Sequence, residues 1–248
     1  MTNDPDFIFG IRPVIEAIKA GKQIDKLLVK KGLQGDLYHE LLGLLREIGM
    51  SYQAVPPDRL DTVTRKNHQG VIAYLSAIEY QELENILPAV YESGKDPLIL
   101  ILSGVTDVRN FGAIARSAEC LGVDAIVIPE KKSARINADA VKTSAGALLN
   151  IPVVKAASII RSIQFLKESG LKIAAASEKA DQTLEKSDLV GPLAMIMGSE
   201  DTGIGRELME ETDIHTSITL SGITSSLNVS VAAGIILYEI SRQRNLDS

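Results

Sequence analysis

The sequence predicts an α/β protein in two parts: a small α/β unit, then a larger one built on a mostly parallel sheet with helices on both faces. Two observations carry this expectation. Four short runs, 98–102, 125–128, 172–176 and 193–197, are apolar but for Lys172 at the start of the third, the pattern of strands buried on both faces in a parallel sheet, and helical segments between them complete βαβ units. Ahead of them, residues 81–97 form a polar, Glu-bearing stretch with Pro88, Gly94 and Pro97, which has the composition of a linker. The expected division is therefore 1–80, a linker at 81–97, and 98–248.

Within the first part, 13–19 reads as a helix, with Val14, Ile15 and Ile18 at helical spacing and Gly21 as its stop. A strand is expected at 26–29. Residues 37–48 form a second amphipathic helix, with Leu37, Leu41, Leu44, Leu45 and Ile48 as its stripe and Gly49 at its C-terminal end. Strands at 52–55 and 71–75 complete the unit. In the second part helices are expected at 113–121, 138–147, 158–168 and 206–211, and from 227 to about 244. In the last, Val231, Ile235, Leu237 and Ile240 form an apolar face, and Arg242 and Arg244 sit near the C-terminus, where positive charge is favourable.

Composition narrows the function classes. No run approaches the roughly 18 apolar residues of a membrane span. The start, Met1-Thr2-Asn3-Asp4-Pro5-Asp6, lacks the basic and apolar regions of a secretory signal, so a soluble, cytoplasmic protein is expected. A single cysteine, Cys120, cannot form an intramolecular disulfide, and no Cys/His cluster has zinc-ligand spacing, so no metal is expected. The net charge of −6 argues against bulk electrostatic coating of nucleic acid. Residues 1–80 carry ten Lys/Arg and ten Asp/Glu, so all of the negative excess lies beyond them, which leaves the first part as the more permissive surface for RNA.

Three motifs set small or polar residues beside apolar runs. The first, Asp107-Val108-Arg109-Asn110-Phe111-Gly112-Ala113-Ile114-Ala115-Arg116, joins a buried strand to a helix, the usual ligand side of an open α/β sheet. Asn110 stands where it would cap a helix beginning at Phe111 or Gly112. Arg116 lies about 200° round the helix from Ile114 and so faces away from the core. The second motif, Gly198-Ser199-Glu200-Asp201-Thr202-Gly203, closes a strand with an acidic turn whose glycines let backbone approach a ligand. It fits no G-x-G-x-x-G fingerprint, and no Walker-type Gly-Lys-Ser/Thr occurs, which argues against a nucleotide-dependent oxidoreductase or a P-loop enzyme. In the third, Ser221-Gly222-Ile223-Thr224-Ser225-Ser226-Leu227-Asn228-Val229-Ser230-Val231-Ala232, Ser226 could cap the final helix, but Asn228 in its first turn is a poor helix former.

In this order and at this spacing the motifs resemble those of the SpoU (TrmH-like) RNA 2′-O-ribose methyltransferases. The family's Asn-x-Gly-x-x-x-Arg matches Asn110, Gly112 and Arg116, its Gly-x-Glu-x-x-Gly matches Gly198, Glu200 and Gly203, and its third motif matches Ser226 and Asn228. Val108 and Thr219 stand where the family often has proline; each change removes a backbone constraint but no chemical group. The resemblance implies a trefoil-knotted C-terminal α/β domain that dimerises, a feature outside the reach of hydrophobic patterning. It implies S-adenosylmethionine as cofactor, held by Gly198, Ile218, Leu220 and Leu227, and a catalytic set of Asn110, Arg116, Glu200, Ser226 and Asn228. Arg116 is then either the base for the ribose 2′-hydroxyl or a cation that clamps the neighbouring phosphate; a guanidinium holds its proton so tightly that the neutral base is costly.

Residues 9–17 and 67–71 resemble the L30e-like RNA-binding domain that precedes the catalytic domain in ribosomal members of the family. That resemblance puts Arg12, Arg65, Lys66, His68 and Gln69 at the RNA, through phosphate, stacking or base-edge contacts, with an ordinary loop histidine as the other reading of His68; the Lys30-Lys31 and Lys131-Lys132 pairs are either further phosphate contacts or plain solvated surface. The wording of the third motif resembles the subgroup that methylates a guanosine in 23S rRNA. The alternatives are a tRNA methyltransferase of the same family and a non-catalytic RNA-binding or ribosome-assembly protein on the same fold.

Overall fold

The computed structural model describes residues 7–180, 182–199, 202–224 and 226–246. Two compact units emerge, one of Met1–Glu79 with Arg135–Ala138, the other of Tyr80–Ala134 with Asp139–Ser248.

The first unit runs β1 (Phe7–Phe9), α1 (Ile11–Lys19), β2 (Ile24–Lys30), α2 (Asp36–Glu47), β3 (Gln53–Val55), α3 (Pro57–Asp61) and β4 (Val71–Leu75). The sheet order is β1-β4-β2-β3, with β4 antiparallel to both neighbours and β2 parallel to β3. Alternation divides its two faces. On one, Val71, Ala73, Leu27 and Val29 pack with Ile11, Val14, Ile15, Leu41 and Leu45 of α1 and α2. On the other, Ile72 and Leu28 pack with Val55 and with Leu60 of the short α3, and this face is the more thinly covered.

The second unit runs α4 (Leu83–Glu92), β5 (Leu98–Ser103), α5 (Val108–Cys120), β6 (Ala125–Pro129), α6 (Ala138–Thr143), β7 (Val153–Ala156), α7 (Ile159–Glu168), β8 (Lys172–Ala176), β9 (Leu193–Gly198), α8 (Arg206–Met209), β10 (Ile214–Thr216) and α9 (Val229–Leu246). All six strands are parallel, in the order β10-β8-β9-β5-β6-β7. The central β5 and β9 are buried along almost their whole length, which is why they read as unbroken apolar runs.

Several expectations need correction. The stretch 81–97 is not an extended linker: it contains α4, whose Leu83, Ile86 and Leu87 enter the core of the second unit. Pro88 sits inside that helix, so proline misled where an apolar stripe prevailed. The helix expected over 138–147 stops at Thr143, because Ala145 and Gly146 take positive φ of 51° and 87°, and a 3-10 turn, Ala147–Leu149, follows. In α9 the buried residues include Ala233, Ile236, Leu237 and Ile240, whereas Val231 and Ile235 remain 51% and 39% exposed. The helix is apolar on two sides, and periodicity alone merged them.

The end of α9 is pinned by Arg244, which donates to the carbonyls of Asp96, Pro97 and Gly191 at 2.9, 3.0 and 2.6 Å. One turn earlier, Glu239 accepts two bonds from Arg242 and one from Gln243. The Arg242 guanidinium holds the Glu239 carboxyl below its ordinary range.

Candidate active site

The loops at the C-terminal ends of β8, β9 and β10 surround a cavity of about 500 Å3, on the side of a parallel sheet where ligands collect. Its walls are residues 176–180 after β8, 197–199 and 202–204 around the turn after β9, 215–218 and Leu220 after β10, and Ser226, Leu227, Val229, Ala232 and Ile236 at the start of α9. The lining is largely apolar. Leu220 and Leu227 are left 39% and 36% exposed, apolar surface that a ligand could cover.

The turn after β9 is closed by its glycines. Gly203 donates to the carbonyl of Ser199 at 3.0 Å, and the Ser199 hydroxyl accepts from the Thr202 amide at 3.1 Å. A Cβ on Gly198 would sit 2.1 Å from the carbonyl carbon of Gly203, so only glycine permits this approach. Glu200, the acid of the second motif, lies outside the described residues.

Opposite this turn the cavity is floored by β10. Thr216 and Ser187 are buried polar residues whose hydroxyls lie 2.8 Å apart. Leu184 donates to the carbonyl of Ser217 at 2.8 Å. These bonds tie the segment after β8 to β10 and set the lower wall.

The first motif builds α5. Asp107, not Asn110, is its cap: the carboxylate accepts from the amides of Arg109 and Asn110 at 2.9 and 2.8 Å, and helix begins at Val108. An aspartate two residues before the first helical amide it serves is a standard cap signal; attention to Asn110 hid it. Freed from capping, the Asn110 side chain accepts a bond from Asn228 Nδ2 at 3.1 Å across 118 residues of sequence. Asn228 lies between two cavity-lining residues, Leu227 and Val229, and its own Oδ1 accepts from the Ser230 amide at 3.0 Å.

Gly112 lets α5 approach α6, since a Cβ there would meet Thr143 Cβ at 2.7 Å. Arg116 is exposed on α5, opposite the fully buried Ile114. It makes no ion pair among the described residues and does not line the cavity.

Of the residues expected to hold a cofactor, Gly198, Ile218, Leu220 and Leu227 all line the cavity, as does Ser226 of the catalytic set. Sequence reasoning missed residues 176–180 and His215, which also line it; the first lie at and just after the end of the apolar run of β8, and His215 lies inside the three-residue β10, too short to leave a pattern.

In the first unit, Arg12, Arg65 and Lys66 are exposed. His68 and Gln69 are instead engaged in holding the loop. His68 Nδ1 accepts from the Gly70 amide at 3.0 Å and Nε2 lies 2.9 Å from Asp61 Oδ1, which places the ring proton on Nε2. Gln69 Oε1 accepts from the Ile11 amide at 3.2 Å at the start of α1.

The SpoU rRNA methylase family profile matches residues 97–238, more than half of the chain. The chain belongs to the SpoU rRNA methylase family. A second profile, for RNA 2′-O ribose methyltransferase substrate binding, matches residues 7–81. Among curated relatives of this SpoU protein, a 23S rRNA (guanosine-2′-O-)-methyltransferase RlmB of Yersinia pestis is 37% identical over 244 residues, 97% of this chain and 98% of the relative. A putative TrmH family tRNA/rRNA methyltransferase, YacO of Bacillus subtilis, is 33% identical over 245 residues, 99% of this chain and 98% of the relative. Among solved structures, the SpoU methyltransferase AviRb of Streptomyces viridochromogenes in complex with the cofactor AdoMet superimposes with a TM-score of 0.62 at 25% identity, over 98% of this chain and 91% of AviRb. This SpoU chain is thus an RNA methyltransferase of the α/β-knot fold, its knotted domain preceded by a small α/β domain.

Proposed function

We propose that the protein transfers a methyl group from S-adenosylmethionine to the ribose 2′-hydroxyl of a guanosine in 23S rRNA, acting as a cytoplasmic homodimer. The convergence of the first and third motifs through the Asn110–Asn228 bond, beside the cavity at the β8–β10 edge, carries this reading. The 37% identical RlmB of Yersinia pestis supports the 23S guanosine as acceptor.

The cavity fits the cofactor. Its volume of about 500 Å3 lies within the range of about 300–1,000 Å3 typical of small-molecule sites. Gly198 and Gly203 border the cavity without adding a side chain to its wall, and Leu220 and Leu227 offer apolar cover. Bound there, S-adenosylmethionine supplies an electrophilic methyl group on a sulfonium.

The chain's own residues then act on the ribose. Asn110 and Asn228, already joined, offer amide donors and acceptors that fix the hydroxyl in line with the methyl, and Ser226 borders the same space. Alignment of this kind removes much of the entropic barrier. Arg116 grips the phosphate beside the target ribose and stabilises alkoxide charge as it develops, with Glu200 as its proposed partner. Residues 1–80 present the RNA through Arg12, Arg65 and Lys66, with His68 and Gln69 shaping the loop between them.

Dimerisation through residues 98–248 is supported by α9. Val231, Ile235 and Tyr238 are 51%, 39% and 62% exposed and recur at helical spacing on one side, an uncovered apolar stripe of the sort that marks an interface.

Transfer of labelled methyl from S-adenosylmethionine to unmodified 23S rRNA and, in parallel, unmodified tRNA tests the reading. Label mapped to one 23S guanosine is the expected result. Label on tRNA alone would keep the chemistry and overturn the substrate, and label on neither would leave an RNA-binding or assembly protein.

A further inference from the structure

The thinly covered face of the first unit's sheet carries a second cavity of about 500 Å3, lined by Phe7, Lys26, Arg59, Tyr74 and Arg135 among others. The registers explain this grouping. Phe7 pairs with Tyr74, and Tyr74 with Lys26, so two rings and an ammonium stand in one row across β1, β4 and β2. Phe7 and Tyr74 meet edge to face at 5.8 Å. The Arg135 guanidinium lies over the Tyr74 ring, 4.3 Å from its centroid, on a segment held by the Ala77 amide donating to the Ile136 carbonyl at 2.9 Å. Lys66 lies 6.0 Å from the neighbouring Phe9 ring.

Charge makes the face unusual. Lys26, Arg59 and Arg135 make no ion pair among the described residues, and no carboxylate lines the cavity. In a chain of net charge −6, three unneutralised cations around partly exposed aromatics form a local site for an anion with a flat apolar part. A nucleotide of single-stranded RNA has that chemistry: bases stack on aromatic and guanidinium planes of an open sheet, and cations beside them take the phosphates.

We propose that this sheet face grips one or two unpaired nucleotides of the RNA substrate, with a base stacked against Tyr74, Phe7 and the Arg135 guanidinium and the flanking phosphates held by Lys26 and Arg59. This rests on the reading of the protein as an RNA methyltransferase. It adds to the loop residues around His68 a separate contact that selects substrates with an unpaired segment.

Filter binding of unmodified 23S rRNA transcript to the full-length protein, with no methyl donor present, tests the face apart from catalysis. Arg59→Glu and Arg135→Glu are each expected to raise the Kd about tenfold or more, and Arg59→Glu, which loses a phosphate contact, to reduce the slope of log affinity against log salt by about 0.7. Lys22→Glu, an equal charge change in the exposed turn after α1, is expected to alter the Kd less than threefold (about). Wild-type affinity in both arginine variants would overturn the proposal. So would failure of the wild-type protein to bind 23S rRNA, tRNA and a single-stranded oligouridylate. Photocrosslinking of wild-type protein to a 5-bromouridine oligomer needs no variant to fold: adducts on Tyr74 or Phe7 are expected, and adducts confined to other residues sink the idea. RNA bound through this face but never methylated would leave the proposal standing and remove the methyl-transfer reading instead.

Discussion

At residue scale, Gly198 shows how tightly the turn after β9 is closed. Adding one methyl, Gly198→Ala, puts a Cβ 2.1 Å from the Gly203 carbonyl carbon, so the turn must open. Calorimetry is expected to show weakened or lost S-adenosylmethionine binding, and denaturant unfolding a loss of about 1–3 kcal/mol, the usual cost of overpacking. Arg116 is the opposite case: exposed and away from the cavity wall, it should matter to transfer and not to cofactor affinity. Arg116→Lys keeps the charge but loses the planar fork. Methyl transfer is expected to fall about 100-fold, the scale of one lost charge-stabilising contact, with the S-adenosylmethionine Kd within about twofold of wild type. Transfer near the wild-type rate would count against any role for the guanidinium geometry.

At the scale of the element, α9 joins stability, assembly and site. One side packs inward through Ile236, Leu237 and Ile240, and the other leaves Val231, Ile235 and Tyr238 exposed. Val231→Asp adds charge only to the exposed side; for the homodimer proposed above, light scattering is expected to report a shift from dimer to monomer, with helix content unchanged by circular dichroism, and an unchanged mass would count against that interface. Further along, Glu239 ties α9 to pH. Its folded carboxyl lies below the ordinary 4.5, chiefly through its bonds with Arg242. The stabilisation is therefore complete above about pH 4.5 and is lost as pH falls through the lower folded value. In urea titrations the stability gap between wild type and Glu239→Gln is expected to be constant from pH 7 to 5 and to shrink below 4.5. A gap that widens on acidification would reverse the sign.

At the scale of the whole molecule, every residue lining the β8–β10 cavity belongs to the second unit, which has its own core. A fragment of residues 80–248 is expected to bind S-adenosylmethionine within about threefold of the full chain, because no cavity contact is removed. Its transfer to 23S rRNA is expected to drop about 100-fold or more with the loss of the basic loop and sheet face. The sequence alone marked the inner strands β5, β6, β8 and β9, since continuous apolar runs follow directly from burial on both faces, but not the short edge strands β7 and β10, and it named Gly198, Ile218, Leu220, Ser226 and Leu227, which line the cavity. It read α9 correctly as a helix but not its two apolar sides, because periodicity reports hydrophobicity and not which stripe finds a neighbour. The Asp107 cap and the apolar stripe of α4 are both legible in the sequence but masked by Asn110 and Pro88, whereas the aromatic row that pairs Phe7 with Tyr74 is not legible there. Only the tertiary structure brought Asn110 to Asn228, because the strand order β10-β8-β9-β5-β6-β7 is not the order of the chain, and contacts between distant segments depend on how elements stack, a property no local pattern encodes.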